Sequence, residues 1–161
     1  MNFETDRFHN NVRVFAYGSN MSPIQMRERC PSAEFLFKGS LMDYSLVFDR
    51  WSRRWQGGVA NVREDKASEV SGVIWKISSE DLRQLDRHEG FNLERSKEKN
   101  AYNRVTLKIL NLRGDAIDCE VYIGVSQGVY EPNPAYMRRL EEGRRLLEIF
   151  SLGNTPHAVK K

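Results

Sequence analysis

Cysteine is almost missing from this chain, with Cys30 and Cys119 the only two. They lie far apart and form neither a C-x-x-C pair nor a disulfide framework, which fits a reducing compartment and points to the cytoplasm. Histidine is as scarce. His9, His88 and His157 are dispersed, with no H-x-x-x-H and no Cys/His cluster at zinc-ligand spacing, so no metal site is expected. Neither a G-x-S-x-G elbow nor a G-x-x-x-x-G-K-S/T loop occurs, which weakens serine-hydrolase and P-loop readings. Long apolar runs are lacking too. No segment approaches the roughly twenty apolar residues that span a bilayer, and the polar stretch from Met1 to Asn10 has no apolar h-region, so no membrane partner is expected. Internal repeats, low-complexity tracts and Gly/Ser linkers are absent, and nothing divides the 161 residues into two units. One domain is expected, with a core from about residue 12 to about residue 150 between polar N-terminal and C-terminal tails.

What is present is a mildly basic chain, 40% hydrophobic and 29% charged, with a formal net charge of +3. That balance slightly favours small anions and by itself is too weak to argue for nucleic acid. A local cluster is stronger: Arg50-Trp51-Ser52-Arg53-Arg54-Trp55 interleaves arginines with tryptophans, side chains that stack planar groups and pair with anions. Three readings stand open there: a solvated loop whose indoles fold onto the core, a grip on a small substrate, and a nucleic-acid contact.

Strand patterns dominate. Val12, Val14 and Ala16 alternate with Arg13 and Phe15. Leu41 to Phe48 reads as a strand, a loop ends at Trp55-Gln56-Gly57-Gly58, and a short run Val59 to Val62 follows. Val70 to Ile77 is apolar enough to be covered on much of both faces. Val105, Leu107 and Ile109 share one face, Ile117, Cys119, Val121 and Ile123 another, and Leu112-Arg113-Gly114-Asp115 joins these two strands as a hairpin.

Two strand-helix junctions carry chemistry. The first is Phe15-Ala16-Tyr17-Gly18-Ser19-Asn20-Met21, followed by an N-cap Ser22, a proline at the first helical position and a capping-box Gln25. Gly18 suits positive φ and close approach of a ligand, and unpaired N–H groups with a helix dipole behind them suit a carboxylate or phosphate. A tight turn with nothing bound is the other reading. The second junction is the helix Ser78 to Gly90, capped by Ser78 and Asp81 and stopped by Gly90. At 100° per residue Glu89 lies within about 20° of Leu82 and one turn beyond Leu85, so it points where the apolar face points. Burial and the negative end of the dipole both raise the pKa of such a carboxyl, which suits proton transfer. Asp86, within about 40° of Leu82, competes for that role, and a carboxylate reaching water past the core rim is the structural alternative.

In order along the chain, Phe15-Ala16-Tyr17-Gly18-Ser19-Asn20-Met21, Gly57-Gly58-Val59-Ala60, Val70-Ser71-Gly72-Val73-Ile74-Trp75-Lys76, Leu85-Asp86-Arg87-His88-Glu89-Gly90 and Pro132-Asn133-Pro134-Ala135-Tyr136 resemble the γ-glutamylcyclotransferase-like family. The resemblance runs from about Val12 to about Gly143. It implies an α+β fold: a small barrel of mixed, mainly antiparallel strands with surrounding helices, filling residues 1–161 as a single domain of that type. It also implies cyclisation of a γ-glutamyl amino acid or amine to 5-oxoproline, with no metal or organic cofactor. The family's glutamate acid/base falls on Glu89, its substrate loop on Tyr17, Gly18, Ser19 and Asn20, and its tyrosines on Tyr102 and Tyr136. Tyr136 shares a helical stripe with Leu140, Gly143, Leu147 and Phe150, whereas Tyr102 is off the parity of Val105, Leu107 and Ile109. The expected partner is a small γ-glutamyl compound rather than nucleic acid, and the oligomeric state has no signal. A different reading keeps the scaffold without the chemistry: a module binding a small anion or single-stranded nucleic acid through the Tyr17 turn and the Arg50 to Trp55 loop.

Overall fold

The computed structural model describes residues 11–153, with side chains described as far as residue 148. His9, His157, the side chain of Phe150 and most of the polar tails therefore lie outside the described residues.

Five strands close into a barrel in the order β1-β3-β2-β4-β5. Strand β1 (Asn11–Ala16) runs antiparallel to β3 (Gly57–Ser78), with Val14 opposite Trp75 and Ala16 opposite Val73. Strand β2 (Glu34–Ser52) and β3 form a long hairpin, and β4 (Tyr102–Leu110) pairs with β5 (Ala116–Gly124) across the tight turn that Gly114 enters at φ 83°. Closure needs one parallel contact, Val14 beside Glu120, so the sheet is mixed though mainly antiparallel. The α+β barrel is as expected. Among the described residues three α-helices surround it: α1 (Pro23–Arg29), α2 (Ser79–Glu89) and α3 (Pro134–Gly153). None of the described helices is long and apolar enough to cross a membrane.

The runs Val59–Val62 and Val70–Ile77, read as two strands, are one. Between them the pairing slips, so that Tyr44 faces Glu64 while Met42 faces Glu69. The extra residues loop out opposite Asp43, which with Ala67 adopts positive φ (64° and 67°), and the Ala67 N–H donates to Asp43 Oδ1 at 3.2 Å. Such a bulge bends a strand without ending it. Beyond it, Val73, Ile74, Trp75 and Ile77 are each completely buried, so both faces of this half of β3 are covered.

Candidate active site

Strand β1 delivers buried Val14, Phe15 and Ala16 to the turn Tyr17 to Met21, whose last three residues form one 3-10 turn. Gly18 sits there with φ −113° and not at positive φ. What its missing side chain supplies is room: a Cβ would lie 3.2 Å from Ala60 Cβ and 3.3 Å from the Tyr136 hydroxyl. The seven-residue α1 starts only at Pro23, so the donors of the turn belong to the 3-10 segment and not to a helix N-terminus.

Ser22 caps α1, accepting from the Gln25 N–H at 3.4 Å, but the Gln25 side chain does not close the capping box. It turns instead into the preceding loop, where Nε2 donates to Ser19 Oγ at 2.6 Å and to Asn20 Oδ1 at 3.0 Å. One helical turn later Arg29 Nη1 donates to the same Asn20 oxygen at 2.9 Å. A guanidinium accepts nothing, so the atom facing it is the amide oxygen and the amide nitrogen must point the other way. It donates to Glu89 Oε1 at 2.7 Å. The Asn20 carbonyl takes the Trp75 indole N–H at 3.0 Å, tying the turn to β3.

Glu89 is the last residue of α2 because Gly90 follows in the left-handed conformation (φ 68°, ψ 33°), which a glycine enters without the Cβ penalty. Leu82 and Leu85 bury the face from which Glu89 projects, and its side chain is 15% exposed. Burial raises its carboxyl above the ordinary 4.5; Arg29, 3.7 Å away, and the Asn20 hydrogen bond pull it back, and Asp86 adds to the rise. Asp86 itself is engaged elsewhere: its Oδ1 accepts from Arg104 Nε at 2.9 Å and from the Tyr122 hydroxyl at 2.6 Å.

A cavity of about 190 Å³ separates the turn from the end of α2. It is smaller than the roughly 300–1,000 Å³ of pockets that enclose drug-sized ligands. Tyr17, Gly18, Ser19, Asn20, Glu89, Tyr102 and Tyr136 all line it, whereas Asp86 does not. Tyr102 reaches it from the opposite face of β4 to Val105, Leu107 and Ile109, which explains its broken parity. Its hydroxyl donates to the Ala60 carbonyl at 2.7 Å, and the Ala60 N–H donates to the Tyr136 hydroxyl at 2.8 Å, so both backbone polar groups of one β3 residue are engaged by tyrosines. The Tyr17 hydroxyl donates to the Tyr122 carbonyl. Burial pushes the phenols of Tyr17, Tyr102, Tyr122 and Tyr136 up, and all four stay neutral near pH 7.

At the mouth, Trp55 packs edge-on against Tyr136 with ring centroids 5.4 Å apart, and Arg54 stacks 5.2 Å from the Trp55 ring. His88 also lines the cavity; burial and then Arg29 and Arg54 lower its pKa, so it is neutral there. Arg50 is not part of a free cationic loop. It is buried, stacks over Tyr102 and donates to the Val125 carbonyl. Among the described residues no group of three His, Cys, Asp or Glu side chains is arranged to hold a metal.

Sequence reasoning missed Arg29 and Tyr122 as wall residues and Trp75 as the anchor of the turn, and misread the target of Gln25. The available signal was spacing. Gln25 and Arg29 stand one turn apart on the helix that directly follows the loop, and helical side chains lean back toward the N-terminus.

Comparison with known proteins adds independent findings. The family model described as "Gamma-glutamyl cyclotransferase, AIG2-like" matches residues 14–143. Gamma-glutamylcyclotransferase of Homo sapiens is 31% identical over 128 residues, covering 77% of this chain and 65% of that protein. The Bos taurus protein of the same name gives 31% over 128 residues with the same coverage. The chain thus spans 65% of the length of the curated relatives it matches. A solved structure titled "Gamma-glutamyl cyclotransferase" superposes with a TM-score of 0.77 at 28% identity, over 84% of this chain and 79% of that one.

Proposed function

Because this chain belongs to the gamma-glutamyl cyclotransferase, AIG2-like family, we propose that it cyclises a γ-glutamyl amino acid or amine to 5-oxoproline with Glu89 as general base and acid. The observation that carries the reading is the meeting of Glu89 and the Tyr17 to Asn20 turn across one small cavity, with Asn20 bonded to the carboxyl. In the scheme, backbone donors of the turn hold the substrate α-carboxylate, and Tyr102 and Tyr136 wall the glutamyl chain. The α-amine, with an unperturbed pKa of about 8, is mostly protonated near neutrality and needs a base before it can attack. Glu89 takes that proton as the amine adds to the γ-carbonyl carbon, while the other surplus proton of the ring nitrogen goes to solvent. Glu89 then delivers its proton to the leaving nitrogen as the original amide C–N bond breaks, releasing the amine and the five-membered lactam. Proton transfer of this kind is worth about 10²–10⁴ in rate. Holding a flexible chain in attack geometry supplies more, since effective molarities reach about 10⁵–10⁸ M.

Every step runs through these side chains and backbone amides, so no metal or organic cofactor enters the scheme. The ligand is a small molecule and not nucleic acid, and the reaction is assigned to the cytoplasm, where buried Cys30 and Cys119 stay reduced. Arg54 at the mouth, beside a neutral His88, favours a leaving group that carries its own carboxylate. The test is to incubate the protein with γ-glutamyl amino acids, γ-glutamyl-lysine and glutathione and to measure 5-oxoproline. Wild type forms it, Glu89→Gln loses about 10²-fold or more in rate, and Asp86→Asn keeps turnover. If wild type leaves every donor intact, the assignment fails. If Asp86→Asn abolishes turnover while Glu89→Gln spares it, the wrong carboxylate was chosen.

A further inference from the structure

Arg29 is the residue of the cavity wall with the most unusual placement. Its side chain is 12% exposed and leaves Nε buried without an acceptor among the described residues, yet Nη1 is held between Asn20 Oδ1 (2.9 Å) and Glu89 Oε1 (3.7 Å). Asn20 bridges the two, receiving from Arg29 on its oxygen and donating from its nitrogen to the Glu89 oxygen that Arg29 approaches. Removing the guanidinium leaves Gln25 as the other described donor on that oxygen, so the amide loses part of what orients it.

The charges facing Glu89 isolate the effect. Tyr17, Tyr102, Tyr122 and Tyr136 are neutral at working pH. Asp86, on the same helix, is paired with Arg104 2.9 Å away. His88 is neutral, and Arg54 lies against Trp55 at the mouth. Among the described residues Arg29 is therefore the full positive charge set directly against this carboxylate. A fixed cation here has a second consequence. It disfavours an ammonium in the cavity and favours the neutral amine, the form that attacks a carbonyl.

We propose that Arg29 is a positioning residue for the cyclisation: its guanidinium locks the Asn20 amide onto Glu89 and keeps that carboxyl ionised and ready to accept the proton of the attacking amine. The inference rests on the reading of Glu89 as the acid and base. An arginine beside a carboxylate lowers its pKa by about one to three pH units. In Arg29→Met the acid limb of the kcat/KM profile therefore moves up by about that much, costing about 10- to 10³-fold on the acid side and far less on the alkaline plateau. Arg29→Lys, which keeps the charge, returns the limb most of the way to wild type. Arg29→Gln, which keeps a donor for Asn20 and drops the charge, shifts it as Met does and decides the matter if Arg29→Met does not fold. A loss that is uniform across pH, with the limb unmoved, overturns the proposal. The Glu89 carboxyl ¹³C titration of the ligand-free protein, assigned with Glu89→Gln, makes the same decision without turnover. Its midpoint rises in the Met or Gln variant, and an unmoved midpoint overturns the role of Arg29. Wild type inactive on every donor with a shifted midpoint would instead remove the cyclotransferase reading and leave the coupling.

Discussion

Replacing Gly143 by alanine sets two effects of known size against each other. Gly143 is buried in the middle of α3, and a Cβ there would lie 2.2 Å from Met21 Cβ, 3.1 Å from its carbonyl carbon and 3.2 Å from its Cα. Carbon atoms pack at about 3.5–4.0 Å, so the helix and the turn must separate by about 1 Å or more. Alanine in a helix interior gains about 1 kcal/mol over glycine, whereas overfilling a packed contact costs about 1–3 kcal/mol. The separation also threatens the 2.8 Å hydrogen bond from Ala60 N to Tyr136, seven residues earlier on the same face of α3. Stretched by about 1 Å that bond is lost, and a buried N–H left alone costs about 1–3 kcal/mol. Packing wins, with a net destabilisation of about 1–5 kcal/mol, or about 2–20 °C in Tm for a chain of this length. Because Met21 adjoins Asn20, kcat/KM for 5-oxoproline formation falls as well, by up to about 10². Thermal unfolding followed by circular dichroism, with exposed Arg144→Ala as a neighbour that changes little, measures the first effect, and the donor assay measures the second. A Tm raised by the substitution, with kcat/KM unchanged, would mean that helix propensity prevailed and that α3 does not brace the turn.

Glu89 must be ionised to act as a base, and burial lifts its carboxyl above 4.5; kcat/KM should fall as pH drops through a value above 4.5, and a profile flat from pH 7 down to pH 4 would contradict this. Asp86→Asn keeps acceptors for Tyr122 and Arg104 but loses the charge of a partly exposed pair, so Tm should drop by about 2–4 °C, a loss of about 1 kcal/mol, while turnover persists. Arg54→Ala should raise KM about three- to tenfold for donors whose leaving group carries a carboxylate, the scale of a partly solvated charged contact. KM for γ-glutamyl amines should stay unchanged, and equal effects on both donor types would remove Arg54 from specificity.

Local chemistry was readable from residue order because each signal and its consequence lie within a few positions. Ser78 and Gly90 bound α2 through a hydroxyl cap and a left-handed residue, Asn133 accepts from the Ala135 N–H at 2.8 Å at the head of α3, and the alternation in β4 and β5 survives as a paired hairpin. Periodicity also turned Glu89 and Tyr136 inward. Other features were not local. The continuity of β3 depends on Asp43 and Ala67 taking positive φ opposite one another, which neither residue type announces. Gln25 matched a capping box, but Ser19 and Asn20 offered its amide better partners once the turn folded back.

The residues alone determined which side chains stand on which face of their own helix or strand, since that follows from the 3.6- and 2-residue repeats. Only the closed barrel decided what each face meets. Asp86 and Glu89 share a helical face and differ in what the tertiary fold sets opposite them. Asp86 faces Arg104 and Tyr122 on β4 and β5, and Glu89 faces Asn20 and Arg29 from the N-terminal turn and α1. The same holds for Tyr102, whose face of β4 looks onto the cavity because β3 and α2 close over it. Such pairings join positions tens of residues apart, and packing selects them among many that the pattern of any one segment allows equally well.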